Sequence, residues 1–159
     1  MYFSLIDRIE ALESGKSIVA TKSLSMSEEY LRDHFPRFPV MPGVLMLEAL
    51  TQTSAWLIRV SEQFSHSMVL LKEAKNVKYG KFVQPGQTLR LTATITKQDE
   101  HFTTLRAEGT LEESTSLKAV LVLTRYNLAQ NGGDPNTDKS VVIALKKQLQ
   151  LLYPGYDCE

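Results

Sequence analysis

Residues 33–52 read Asp33-His34-Phe35-Pro36-Arg37-Phe38-Pro39-Val40-Met41-Pro42-Gly43-Val44-Leu45-Met46-Leu47-Glu48-Ala49-Leu50-Thr51-Gln52. Pro36, Pro39 and Pro42 each fix the backbone φ, which predicts a stiff, extended loop. From Pro42 the character changes. Proline is tolerated in the first turn of a helix, and good helix formers follow it. Val44, Leu45, Met46, Leu47, Leu50, Ala55, Trp56, Leu57 and Ile58 would put apolar side chains on nearly every face of a helix over 42–64. A helix that is apolar all round is a buried one. Glu48 is the exception, because a carboxylate is rarely buried without a partner. Gln52 lies one turn further along the same face, where it can hold Glu48 by a hydrogen bond.

Outward from this segment, the second half of the chain reads as strands. Residues 88–96 are rich in threonine and alternate Leu89, Leu91, Ala93 and Ile95 with polar residues, the period of a half-buried strand. Residues 102–112 and 117–126 are similar, with turns near 98–100 and 113–115, and 68–79 is a weaker strand signal. Residues 16–24 place Ile18, Ala20, Lys22 and Leu24 on one face. Leu5, Ile6, Ile9 and Leu12 have helical spacing, yet Glu13-Ser14-Gly15-Lys16 leads directly into that strand, and both helix and hairpin stay open. One long buried helix with several antiparallel strands gives an α+β protein, the sheet packed round the helix. Residues 130–138 read as a linker rich in turn formers. They divide a body, 1–127, from a tail, 128–159. In the tail Val142, Leu145, Leu149 and Leu152 predict an amphipathic helix over 139–152, capped by Asp138 or Ser140 and stopped by Pro154-Gly155.

The 159 residues suit one domain with a real core. Eighteen basic residues balance eighteen acidic ones, whereas a general nucleic-acid or membrane-surface binder is more basic. Cys158 is the only cysteine, which excludes an intramolecular disulfide framework and a multi-cysteine zinc site and fits a reducing compartment. No apolar stretch approaches the roughly 20 residues of a membrane span, and the N-terminus lacks the pattern of a secretory signal. The expectation is a soluble, cytoplasmic protein without a metal site, since no His/Cys/Asp spacing supports one. His66 and His101 read as surface residues, and Met41, Met46 and Trp56 as filling for a core or a tunnel wall. Lys72, Lys75, Lys78 and Lys81 recur every third residue, as a solvated surface or as docking points for an acidic partner.

The chemistry lies in His34 and Glu48. A histidine titrates near neutrality and serves as a base. A carboxyl group in a dry site is held in its neutral form and serves as a general acid. The N–H of Gly43, at the helix start, can stabilise a developing oxyanion with help from the helix dipole. Base, acid and oxyanion donor together suit proton abstraction beside a carbonyl with loss of a leaving group.

This segment closely resembles the (3R)-hydroxyacyl-acyl-carrier-protein dehydratases of the FabZ/FabA type, whose motif is H-F-P-G-x-P-x-x-P-G-V-L-x-x-E-A-x-x-Q. The matching residues are His34, Phe35, Pro36, Pro39, Pro42, Gly43, Val44, Leu45, Glu48, Ala49 and Gln52. Weaker similarity runs from about Leu5 to Tyr126 and includes Lys78 to Leu89, with its Pro85-Gly86 turn. The resemblance implies a hotdog fold, a long central helix wrapped by an antiparallel sheet; it does not cover the tail, whose predicted helix makes a short C-terminal extension. It favours the hairpin for residues 5–24. It implies a homodimer whose sheets join and whose active sites are shared across the interface, and leaves open a trimer of dimers.

The substrate it implies is an acyl chain on the phosphopantetheine arm of acyl carrier protein, with no other cofactor. On that pattern His34 removes a C2 proton, Glu48 protonates the departing 3-hydroxyl, Gly43 polarises the thioester and Gln52 orients Glu48. Glutamate rather than aspartate at position 48 implies dehydration without isomerisation. Arg37 stands where the family has glycine, a residue able to supply a positive φ. With Phe38 and Met41 it is a candidate for the substrate channel or the partner contact. Because hotdog folds host several activities, a thioesterase, an enoyl-CoA hydratase-like enzyme and a FabZ-like subunit weakened by Arg37 are alternatives.

Overall fold

The apolar residues near the N-terminus that fit two periods form a hairpin. In the computed structural model, which describes residues 3–156, strand β1 (Arg8–Glu13) pairs antiparallel with β2 (Ser17–Ser23). The chain reverses through Gly15, whose φ of +74° is one that a side chain resists. A reversal this short joins two strands, and Leu5, Ile6 and Ile9 still reach the core. Cys158 lies outside the described residues.

Helix α1 (Gly43–Ser61) follows, then β3 (Met68–Tyr79), β4 (Thr88–Gln98), β5 (Phe102–Leu111), β6 (Ser114–Tyr126) and helix α2 (Pro135–Leu152). The six strands form one antiparallel sheet in the order β1-β2-β4-β5-β6-β3. Its concave face encloses α1, as the all-round apolar pattern requires. Leu50, Leu57 and Ile58 meet Leu89, Leu91, Leu105 and Leu121 in a single core. The buried hydroxyls of Thr51 and Thr53 donate to the carbonyls of Leu47 and Ala49 four residues back, so their burial leaves no polar group unpaired. The helix ends at Ser61, three residues before the sequence reading, because Gln63 and Phe64 turn the chain with positive φ.

Lys22 lies on the inward face with Ile18 and Ala20, as its register predicts, and is nearly inaccessible. Its ammonium is neutralised by Glu28 at 2.6 Å and Asp7 at 3.6 Å. His66 departs from the surface reading. It is half-buried, with Nδ1 3.0 Å from Glu62. His101 is exposed.

The tail differs most from expectation. A short 3-10 turn over residues 128–131 runs into the predicted linker, and α2 starts at Pro135, four residues early. Asp134 is the cap, accepting from the Asn136 amide at 2.9 Å, with proline in the first turn. Asp138 lies inside the helix. Its buried carboxylate accepts from the Ser67 hydroxyl and from the amides of Leu128 and Ala129 at 2.8 and 3.0 Å. Composition alone cannot reveal such long-range partners, and this one fastens α2 to the chain just before β3. Leu149 and Leu152 complete the attachment by entering the core. No helix among the described residues is long and apolar enough to cross a membrane.

The Ser67 hydroxyl, and after it the two amides, hold the Asp138 carboxyl below its usual 3.8. A depressed carboxyl contributes stability above the unfolded-chain value, and that contribution is lost as pH falls through the lower folded value. Asp138→Asn is therefore expected to lower Tm at neutral pH and to flatten the fall of Tm between about pH 5 and pH 2. Thermal unfolding of both proteins across that range checks it; parallel acid limbs would contradict it.

Candidate active site

The loop ahead of α1 closes on itself instead of extending. The amide of Phe38 donates to the Phe35 carbonyl at 3.0 Å, making a β-turn with Pro36 and Arg37 at its two central positions. Val40 N donates to the His34 carbonyl at 3.1 Å, so two rungs pin the loop. Proline favours the first corner position of such a turn, which is why Pro36 starts a reversal here. Arg37 is absent from the residues with positive φ. The turn therefore has no need of glycine at that position, and arginine fits without backbone strain. Its side chain is exposed.

His34 is half-buried at the base of this loop and stacks on Phe35, with ring centroids 4.1 Å apart. Its Nδ1 lies 3.1 Å from the Val40 carbonyl. A carbonyl can only accept, so Nδ1 carries the proton and Nε2 of the neutral ring keeps its lone pair. The loop thus fixes both the position of the imidazole and its basic nitrogen. Met41 lies in the core, its amide bonded to the Val83 carbonyl at 2.9 Å. Phe38 meets Phe82 edge-on at 5.7 Å and lines a surface cleft with Lys81 and Gln87.

Gly43 opens α1. The first intrahelical bonds run from Leu45 and Met46 to the Pro42 carbonyl, so the Gly43 and Val44 amides point out of the helix end. A Cβ on residue 43 would lie 2.8 Å from the Tyr79 ring, and glycine lets that ring cover the helix start.

Glu48 is half-buried one turn beyond the helix start, and Gln52 holds it. The Gln52 Nε2 donates to Glu48 Oε1 at 2.9 Å and to the Phe3 carbonyl at 3.2 Å, while its Oε1 accepts from the Leu5 amide at 2.9 Å. The two backbone partners decide which way the amide faces, because one must accept and the other must donate. The NH₂ group is therefore committed to Glu48 Oε1 and the Phe3 carbonyl.

Glu48, Gln52, Ala55, Trp56 and Arg59 form a stripe along α1 that floors a cleft of about 360 Å³. Leu70 and Leu71 of β3 flank it on one side, Leu145 and Gln148 of α2 also line it, and Phe3 lies at it near Gln52. Of the sequence candidates, the structure brings Glu48 and Gln52 together and sets Gly43 at the same helix end. His34 does not line this cleft. Sequence reasoning missed Arg59 and Thr51, although helical spacing from Glu48 would have found them. Nothing in the sequence signals Leu145 and Gln148.

A FabA-like domain is matched over residues 1–119. The 3-hydroxyacyl-acyl-carrier-protein dehydratase FabZ of Levilactobacillus brevis is 38% identical over 116 residues, 73% of this chain and 78% of that one. The Listeria innocua FabZ is 34% identical over 128 residues, 80% of this chain and 89% of that one. Among solved structures, the dehydratase heterocomplex ApeI:P of Xenorhabdus doucetiae superposes with a TM-score of 0.63 at 17% identity, covering 82% of this chain and 90% of that one. A Streptococcus mutans protein bound to acetyl CoA gives 0.62 at 15%, covering 80% and 93%. These two likenesses establish the hotdog fold.

Gln52→Ala removes three hydrogen bonds, two of them to the N-terminal segment, and is expected to destabilise the protein by about 1–3 kcal/mol in urea unfolding. Arg37→Gly relieves no strain, and Tm is expected not to rise. A clear rise would mean that arginine is forced into this turn.

Proposed function

The chain belongs to the FabA-like family, and we propose on that premise that it is a FabZ-type dehydratase with His34 as base and Glu48 as acid. It converts (3R)-3-hydroxyacyl-acyl carrier protein to the trans-2-enoyl form in acyl-chain synthesis. The observation that carries the assignment of roles is that each group is fixed in position with one reactive atom left without a protein partner among the described residues. The Val40 carbonyl keeps the lone pair on His34 Nε2, and Gln52 occupies one oxygen of Glu48 and leaves the other for a proton.

His34 takes the C2 proton, and the electron pair of that bond becomes the C2–C3 double bond. The C3–O bond breaks as Glu48 delivers its proton, and the hydroxyl leaves as water. Negative charge developing on the thioester oxygen is met by the Gly43 amide and the positive end of the α1 dipole. His34 ends protonated and Glu48 ionised; proton return through solvent resets both. The reaction uses an acid, a base and an oxyanion donor, and we assign it no cofactor beyond the carrier's phosphopantetheine. The substrate partner is acyl carrier protein, and the lone cysteine fits a cytoplasmic setting.

His34 and Glu48 are assigned to different subunits of one site. Supporting this, β3 is a twelve-residue edge strand that among the described residues pairs only with β6, and it exposes Leu70, Leu71 and Tyr79. An open edge with apolar side chains is a surface built for pairing. Leu70 and Leu71 also flank the Glu48 cleft, so a second copy docked on this edge would lie against the cleft that holds that carboxylate.

Turnover of (3R)-hydroxyacyl-acyl carrier protein to enoyl product is expected for the native protein, with losses of about 10²- to 10⁴-fold in kcat for His34→Ala and for Glu48→Gln. When the two inactive variants are unfolded together and refolded, mixed dimers regain one intact site. About a quarter of native activity should return if pairing is random. Release of free thiol without enoyl product would indicate a thioesterase instead. Absence of recovery in the mixture would place both groups of a site in one subunit.

A further inference from the structure

Helix α2 lies beyond the matched residues 1–119, yet it reaches the cleft that holds Glu48. The geometry points to α2 as a wall of the acyl-binding cleft, with Leu145 and Gln148 determining which acyl chains fit. This deepens the dehydratase reading and rests on it for the identity of the occupant.

The cleft floor runs along α1 from Glu48 to Arg59, eleven residues on, a length of roughly 16 Å at the helical rise. Glu48 and Gln52 mark one end as the reacting end. Beyond them the lining turns apolar through Ala55 and Trp56, the surface an acyl chain seeks. The far end carries Arg59, whose guanidinium lies 5.2 Å from the centre of the Trp56 ring. An apolar chain that reached it would have to desolvate a charge, which sets a limit on useful length.

Leu145 and Gln148, three residues apart, share a face of α2 and are half-buried against this floor. The wall is held in place. Asp138 fastens one end of α2, Leu149 is fully buried just beyond Gln148, and Leu152 anchors the other end. A fixed wall discriminates by volume, and a methylene more or less in an apolar pocket is worth about 10- to 200-fold.

The test compares kcat/KM for long-chain and short-chain (3R)-hydroxyacyl-acyl carrier protein in the native protein, Leu145→Ala, Leu145→Phe and Gln148→Phe. Leu145→Ala should move the long-to-short ratio upward by about tenfold, and the two phenylalanine variants should move it downward by a similar factor. Gln148 is partly exposed, so its variant keeps the test open if Leu145→Ala folds poorly. Unchanged ratios in folded variants overturn the proposal while leaving the dehydratase reading intact. Trp56 is the only tryptophan and lines the cleft, so its fluorescence follows titration with acyl-pantetheines of graded length. If the native protein makes no enoyl product, this titration decides. A length optimum that moves with the α2 substitutions upholds the wall and sinks only the dehydratase reading. Fluorescence indifferent to acyl-pantetheine sinks the wall as well.

Discussion

A helix with apolar side chains on nearly every side has to be enclosed, and the arrangement of this molecule follows from how α1 is covered. The sheet curves round it and supplies Leu89, Leu91, Leu105 and Leu121 to its inner faces. One stripe, from Glu48 to Arg59, is left to β3, α2 and the N-terminal segment, and there the enclosure is incomplete enough to form a cleft. A carboxylate is tolerable on that stripe because Gln52 meets it and solvent still reaches it. The same incomplete cover makes one helix both the structural centre and the floor of the candidate site.

At the far end of α1 the charges are arranged for rigidity. The Glu62 carboxylate meets the Arg125 guanidinium, the Gln98 amide at 2.8 Å and the His66 ring at 3.0 Å. Arg125 in turn donates to Thr103 Oγ1 and to the Asp99 carbonyl. A buried ion pair contributes little net stability against an apolar alternative, but removing one partner costs about 3–5 kcal/mol because the other charge is stranded. The network joins the helix end to β6 and to the β4–β5 turn, so Glu48 projects from a helix fixed at its opposite end.

Much of this was legible in the sequence. The strands over 68–79 and 88–96, the start of α1 at the Pro42-Gly43 step, and the Glu48–Gln52 pair follow from local spacing, because period and reach along one element need no knowledge of the rest. What escaped depends on partners distant in sequence. Leu5, Ile6, Ile9 and Leu12 satisfy both helical and strand periods, and only pairing with β2 decides between them. Asp138 looks like a cap until Ser67, seventy-one residues away, is seen to donate to it. Arg37 suggests strain only if the turn needs a positive φ, and the bond between Phe38 and Phe35 makes a turn that does not. His66 looks like a surface residue until the Glu62 network claims it. The contribution of α2 to the cleft belongs wholly to tertiary structure.

The pairing of β2 with β4 has a kinetic side. Ser23 and Thr88 face one another 65 residues apart in the chain, and the excursion between them carries α1, β3 and the histidine loop. Closing such an excursion must be preceded by a large loss of chain entropy, which makes this topology a slow one to reach. His34 and Glu48 both lie within the excursion. A partial opening that separates β2 from β4 frees the two ends of the segment that carries His34 and Glu48, while β3 keeps its middle fastened to β6.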